Sequence, residues 1–122
     1  SLLKPLPNIV PIHITDQIKL TVVGDIHGQI ADLLTMFKLN GLPAVHNHYL
    51  FNGDIVDRGC NSMECIILIL TLKLLYPESI LINRGNHETE DMAAKHGFEK
   101  ECLSKYDRDV YKIMIDIFTN LP

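Results

Sequence analysis

The sequence predicts an α/β fold of βαβαβ units, with three polar loops at the carboxyl ends of parallel strands. Three observations carry that prediction. Short apolar runs, rich in β-branched residues, each deliver a glycine-containing polar loop: Gly24-Asp25-Ile26-His27-Gly28, Gly53-Asp54-Ile55-Val56-Asp57-Arg58-Gly59 and Arg84-Gly85-Asn86-His87-Glu88. The stretches between those runs carry helical patterning. Asp25, Asp54 and Asn86 recur at about 30 residues, the size of one βαβ unit. Right-handed crossovers then make the strands parallel and bring the three loops to one edge, where ligands of such sheets bind.

Each element has its own signal. The first 16 residues hold three of the six prolines and no sustained period, so residues 1–18 read as an extended arm. Lys19 to Val23 is the first strand. After Gln29, the positions Ile30, Leu33, Leu34 and Phe37 form one face of a helix that Asn40-Gly41 and Pro43 should stop. Ala44 to His48 is read as loop and Tyr49 to Asn52 as the second strand; His46 and His48 are expected to face solvent. Asn61 with Glu64 resembles a capping box, and Ser62 to Leu75, apolar almost all round, is expected to be a buried helix. Pro77 to Ser79 is a turn and Ile80 to Asn83 the third strand. Short helices are expected over Asp91 to Lys95 and Phe98 to Tyr106. A last helix, Arg108 to Phe118, places Val110, Ile113, Met114, Ile117 and Phe118 on a core-facing stripe.

Composition narrows the function classes. With 122 residues and 47% hydrophobic content, the chain is one domain or a portion of one, expected to be soluble and globular. A net charge of −4 argues against nucleic-acid partners and acidic membrane surfaces, which call for a basic surplus. The longest apolar run, Cys65 to Leu72, is shorter than the roughly 20 residues a membrane span needs. Cys60, Cys65 and Cys102 lack paired metal-type spacing and read as free thiols, which places the chain in cytosol or nucleus.

The polar loops carry the chemistry. Asp25 and His27, two apart in an extended loop, can face one cation, with the flanking glycines allowing tight turns. Asp54 is placed to bridge two cations, and Asn86 offers an amide oxygen to the second. Mixed oxygen and imidazole ligands suit Mn, Fe or Zn better than calcium. Two such ions can activate a water and neutralise a phosphoryl group. His87, beside a ligand, is then free to protonate a leaving oxygen, with Asp57 holding the imidazole, while the fork of Arg58 grips phosphate. Taken singly these are ordinary loop residues, and Glu88 or Arg84 can simply pair with each other or cap a helix.

All three loops resemble, without substitution, the G-D-x-H-G, G-D-x-x-D-R-G and G-N-H-E signatures of the PPP family of serine/threonine protein phosphatases. The flanking stretches Leu6-Pro7, Leu39 to Pro43, Phe51 to Gly53, Leu74 to Pro77 and His87 to Tyr106 are most similar to one branch of that family. The resemblance implies a metallophosphoesterase-type β-sandwich flanked by helices, of which this chain supplies one portion. It implies metal-dependent hydrolysis of phosphoserine and phosphothreonine in phosphoprotein substrates. Two metal ions (Mn, Fe or Zn) are implied, the first held by Asp25, His27 and Asp54, the second by Asp54 and Asn86. His87 is implied as acid with Asp57 behind it, and Arg58, Asn86 and His87 as phosphate-binding. In the family, two later histidines complete the second metal site, and a further arginine and tyrosine hold phosphate; the sequence ends at Pro122 before any of them. Residues 19–122 are therefore expected to be the first portion of a catalytic domain, a truncated form with an incomplete second site and reduced or no activity. Two other readings stand beside it: a non-catalytic metal- or partner-binding fragment, and a metallophosphoesterase for nucleotides or phosphodiesters. A half-domain would also leave a sheet edge and apolar helix faces uncovered, so the isolated chain is expected to aggregate or partly unfold.

Overall fold

The computed structural model describes residue 7 and residues 9–122. Much of the expected arm therefore lies outside the described residues; from Ile9 onward it runs as exposed coil to a turn at Asp16-Gln17. Eight elements follow: Lys19–Val23 (β1), Ile30–Asn40 (α1), Asn47–Phe51 (β2), Ser62–Leu75 (α2), Ile80–Ile82 (β3), Glu90–His96 (α3), Phe98–Lys105 (α4) and Arg108–Thr119 (α5). The three strands form one parallel sheet in the order β1-β2-β3. No helix of the described residues is long and apolar enough to cross a membrane.

Register fixes what the sheet can do. Val23, Phe51 and Ile82 are paired across the three strands, so the polar loops leave side by side from one edge. Side chains alternate across a sheet, and Tyr49, Phe51, Ile80 and Ile82 all point into the core beneath the helices. There they meet Met63, Cys65, Ile66 and Ile69 of α2, which also packs against α1 and α4. Phe98 and Phe118 meet as tilted rings at 5.3 Å and join α4 to α5, with Tyr111 also tilted against Phe98. Each large side chain so buried contributes roughly 1.5–3 kcal/mol.

Several local expectations need correction. β2 begins two residues early, because Asn47 exchanges backbone hydrogen bonds with Ala44 and donates its amide to the carbonyls of Asn40 and Leu42. That knot draws Asn47 and His48 into the ladder with β1. β3 ends at Ile82, one residue short of the expected Asn83. The capping box of α2 does not form. Asn61 makes no side-chain cap bond; Glu101 of α4 takes the amides of Ser62 and Met63 instead, and Glu64 is drawn off to Lys105. Nor is α2 buried all round. Ile67, Leu74 and Leu75 are exposed, as are Leu34 of α1 and Ile113 of α5, because among the described residues nothing packs on those sides. His46 is exposed as expected.

Candidate metal centre and phosphate site

The three loops are bolted together by backbone hydrogen bonds. The carbonyl of Asp54 accepts from the amides of Ile26 and His27, both at 3.0 Å, and that of Ile55 accepts from Gly28 at 2.9 Å. The third loop docks on the second through Gly85 and Gly53. A Cβ on Gly53 would stand 2.3 Å from the Gly85 nitrogen, and one on Gly85 would stand 2.2 Å from Asp54 Oδ1. Gly59 meets the His27 carbonyl in the same way, whereas Gly24 has nothing near it and no left-handed backbone. The expectation that glycines flanking Asp25 serve tight turning thus holds for Gly28, at φ 70°, and fails for Gly24.

Strain is concentrated on this edge. Among the described residues, the non-glycine positions with positive φ are His27 (45°), Asp54 (52°), Asp57 (70°) and Arg58 (64°), all of them motif residues. Such conformations cost of order 1–3 kcal/mol each and persist only where the surroundings over-determine them. At Asp54 that over-determination comes from Glu88, while the Asp54 carbonyl holds the amide of His27 and the His96 carbonyl that of Arg58. The fully buried carboxylate of Glu88 accepts from the backbone nitrogens of Asp54, Ile55, Val56 and Gly85. The sequence suggested only an Arg84 pair or a helix cap for Glu88; Arg84 does reach it, but through Nε to the Glu88 carbonyl at 3.0 Å.

Four imidazole, carboxylate and amide side chains meet in the resulting cleft. Ligand-type atoms of His27, Asp54 and His87 lie within 4.8 Å of one another. His27 donates Nδ1–H to the Val56 carbonyl at 2.8 Å, which leaves Nε2 with its lone pair, 3.7 Å from Asp25 Oδ2. An Nδ1–H bonded to a carbonyl is the usual orientation of a metal-ligating histidine. Asp54 Oδ1 accepts from the backbone amide of His87 at 3.1 Å, and the side-chain amide of Asn86, turned with Nδ2 toward Asp54, donates to its two oxygens at 3.3 and 3.2 Å. Asp25, 68% exposed, reaches this group only through His27. The donor set, with one imidazole nitrogen freed by tautomer and carboxylates on either side, fits a Mn, Fe or Zn ion. His87 comes closer to the cluster than its sequence role away from metal implies.

A second group sits behind the first. Buried Asp57 accepts from His87 Nδ1 at 2.8 Å and, through its other oxygen, from the amide of Phe98 at 2.8 Å, the first residue of α4. The His87 Nε2 then faces the exposed Arg58 guanidinium at 3.5 Å. The His87 ring lies edge-on to His27 at 4.8 Å and to His96 at 5.3 Å, and the His96 carbonyl accepts from the Arg58 amide. Sequence patterning did not indicate His96 or the Phe98 amide. Their proximity comes from Gly97, whose left-handed backbone at φ 119° separates α3 from α4 and turns the chain toward Asp57.

Comparison with known proteins agrees with this geometry. The family model described as Calcineurin-like phosphoesterase matches residues 18–122. Serine/threonine-protein phosphatase T of Schizosaccharomyces pombe is 48% identical over the whole chain, which spans 26% of that relative. Human serine/threonine-protein phosphatase 5, the branch the flanking stretches resemble, is 46% identical over the whole chain and is covered for 24% of its length. A solved structure of a protein serine/threonine phosphatase from Saccharomyces cerevisiae, with similarity to human phosphatase PP5, superposes on 99% of this chain with a TM-score of 0.95. It shares 40% identity, and 39% of its own chain is covered. The chain thus spans about a quarter of the length of the curated relatives it matches.

Proposed function

This chain belongs to the calcineurin-like phosphoesterase family, and from that premise we propose that it serves metal-dependent hydrolysis of phosphoserine and phosphothreonine in phosphoproteins. The observation that carries this reading is the buried His87–Asp57 pair, which opens beside Arg58 onto the cluster of His27 and Asp54. Residues 19–122 contribute these groups to the catalytic domain.

Asp25, His27 and Asp54 would hold one ion, and Asp54 with Asn86 a second. When bound, such ions neutralise phosphoryl oxygens and make a water acidic enough to attack phosphorus. Phosphate monoesters resist unaided hydrolysis more than almost any substrate, so this charge stabilisation is the main demand. The protein's own groups do the rest. Arg58 binds two phosphate oxygens through its planar fork, assisted by Asn86 and His87, and so fixes the scissile bond. Asp57 accepts from Nδ1–H and so orients the His87 ring; the acid is the imidazolium, which carries its second proton on Nε2, aimed at the cleft. From Nε2, His87 gives its proton to the departing seryl or threonyl oxygen as the P–O bond breaks. The phosphoprotein is the substrate class favoured because relatives 48% and 46% identical to this chain are named serine/threonine-protein phosphatases.

The test is Mn-dependent phosphate release from a phosphothreonine peptide, with a dinucleoside polyphosphate as competitor substrate, in the full-length protein and its His87→Ala variant. The peptide should be preferred and the variant should lose about 10²–10⁴-fold in rate. Full activity in His87→Ala, or preference for the dinucleotide, overturns the reading.

A further inference from the structure

We propose that Glu88 is a positioning residue for the metal centre: its carboxylate sets the backbone from which Asp54 and Asn86 present their ligand atoms. The inference rests on the metal-dependent reading above and assigns the work of assembling that centre to a side chain that touches no ligand atom itself. Oε2 accepts from the amides of Asp54 at 2.8 Å and Gly85 at 2.9 Å. Oε1 accepts from Ile55 at 2.8 Å and Val56 at 3.3 Å. Each oxygen is therefore doubly engaged, and the four donors come from two different loops. Asp54 sits at φ 52°, a backbone state that an aspartate adopts at a cost, and its amide is one of the four. Asn86 lies between Gly85, bound to Oε2, and His87, bound to Asp54, so the same carboxylate fixes the approach of both side chains.

A carboxylate is the group this geometry requires. An amide in its place points an NH₂ at two backbone N–H groups whichever way it is turned, because both oxygens are in use. Buried donors facing a donor are unpaired, and the loops must part to solvate them. The residue at position 85 is matched to the clamp as well, since a Cβ on Gly85 would fall 2.7 Å from Oε2.

The experiment is Mn²⁺ binding to the full chain and to Glu88→Gln, read from free Mn²⁺ by electron paramagnetic resonance, with circular dichroism establishing that the variant is folded. Groups that orient metal ligands are commonly worth 10–100-fold in affinity, so the dissociation constant should rise about tenfold or more in the folded variant. A purely structural Glu88 would lower the unfolding midpoint and leave Mn²⁺ affinity unchanged below it, which would overturn the proposal alone. No Mn²⁺ binding by the unsubstituted chain would overturn the metal reading and the proposal with it. Should Glu88→Gln fail to fold, amide exchange in the unsubstituted chain decides. The amides of Asp54, Ile55, Val56 and Gly85 should be protected and slow further with Mn²⁺; unprotected exchange indifferent to Mn²⁺ refutes the clamp.

Discussion

The two faces of the sheet's surroundings invert the usual order of a protein. At the carboxyl edge, Asp57, His87 and Glu88 are 2% exposed or less, while along the back of the sheet and at its opposite end Val22 is 62% exposed, Leu39 78% and Val45 75%. The charged groups can be buried because each finds its partners within the chain: four amides for Glu88, an imidazole and an amide for Asp57. The apolar side chains have no such closure among the described residues. The chemistry-bearing edge is therefore internally determined, whereas the apolar surface is not. Substitutions should hurt in proportion to the hydrogen bonds they orphan on one side and hardly at all on the other.

The largest effect is expected at Asp57. Asp57→Ala leaves the Nδ1–H of His87 and the amide of Phe98 buried without an acceptor and breaks the buried pair at 2.8 Å. Losing one partner of such a pair costs about 3–5 kcal/mol. Urea unfolding should register that loss, and phosphate release by the full-length protein should fall with it. An unchanged midpoint would mean that the edge is not held by its own hydrogen bonds, and the contrast with the apolar face would collapse.

Glycine substitutions sharpen the contrast within the edge itself. Gly53→Ala combines a left-handed backbone, φ 92°, with a Cβ 2.3 Å from the Gly85 nitrogen, and should cost roughly 2–4 kcal/mol in the same unfolding measurement. Gly24→Ala meets nothing within 4 Å and should stay within about 0.5 kcal/mol. Equal costs at the two positions would show that loop docking contributes nothing. On the back of the sheet, Val22→Thr should also change stability by no more than about 0.5 kcal/mol, while sedimentation velocity should show less self-association than in the unsubstituted chain. A large loss of stability there would mean that Val22 is covered by something within the chain.

How much of this was legible depended on the range over which each signal acts. Strands, crossover helices and loop positions followed from local pattern, because the apolar period and the glycines act within a few residues. The pairing of His87 with Asp57, and the meeting of His27 with Asp54, followed from βαβ topology, which converts equal spacing into adjacency. What sequence could not show was partnership between chemically ordinary groups far apart in the chain. From sequence, Glu88 offered a pair for Arg84 or a helix cap; its partners are backbone amides, which carry no sequence label. Asn61 and Glu64 formed a capping pattern that lost to Glu101, 38 residues beyond Met63, because Lys105 offers Glu64 a charged partner. Ile113 and Leu34 obeyed helical period yet stayed exposed, since period says which side is apolar but not whether anything covers it.

The smallest effect separates two cysteines only five residues apart. Cys60, just past the second loop, is exposed; Cys65, one turn into α2, is fully buried, and burial pushes its thiol up to about 11, with the negative charges of Glu101 and Glu64 adding to the rise. Cys102 is buried and its thiol raised for the same chief reason. At pH 8 a disulfide reagent should therefore label one thiol in the folded chain and three after denaturation, with no change in stability when Cys60 alone is blocked. The pH dependence carries a definite sign. An acid whose folded value exceeds its unfolded value, here near 9.0, favours the folded state fully below pH 9, and that contribution disappears as pH rises toward 11. Cys65→Ala should reduce this alkaline loss, leaving the share of Cys102, while Cys60→Ala leaves it unchanged. Rapid labelling of all three thiols at pH 8 would mean that the core beneath the loops opens readily, and that the order of the polar edge does not extend into the helix supporting it.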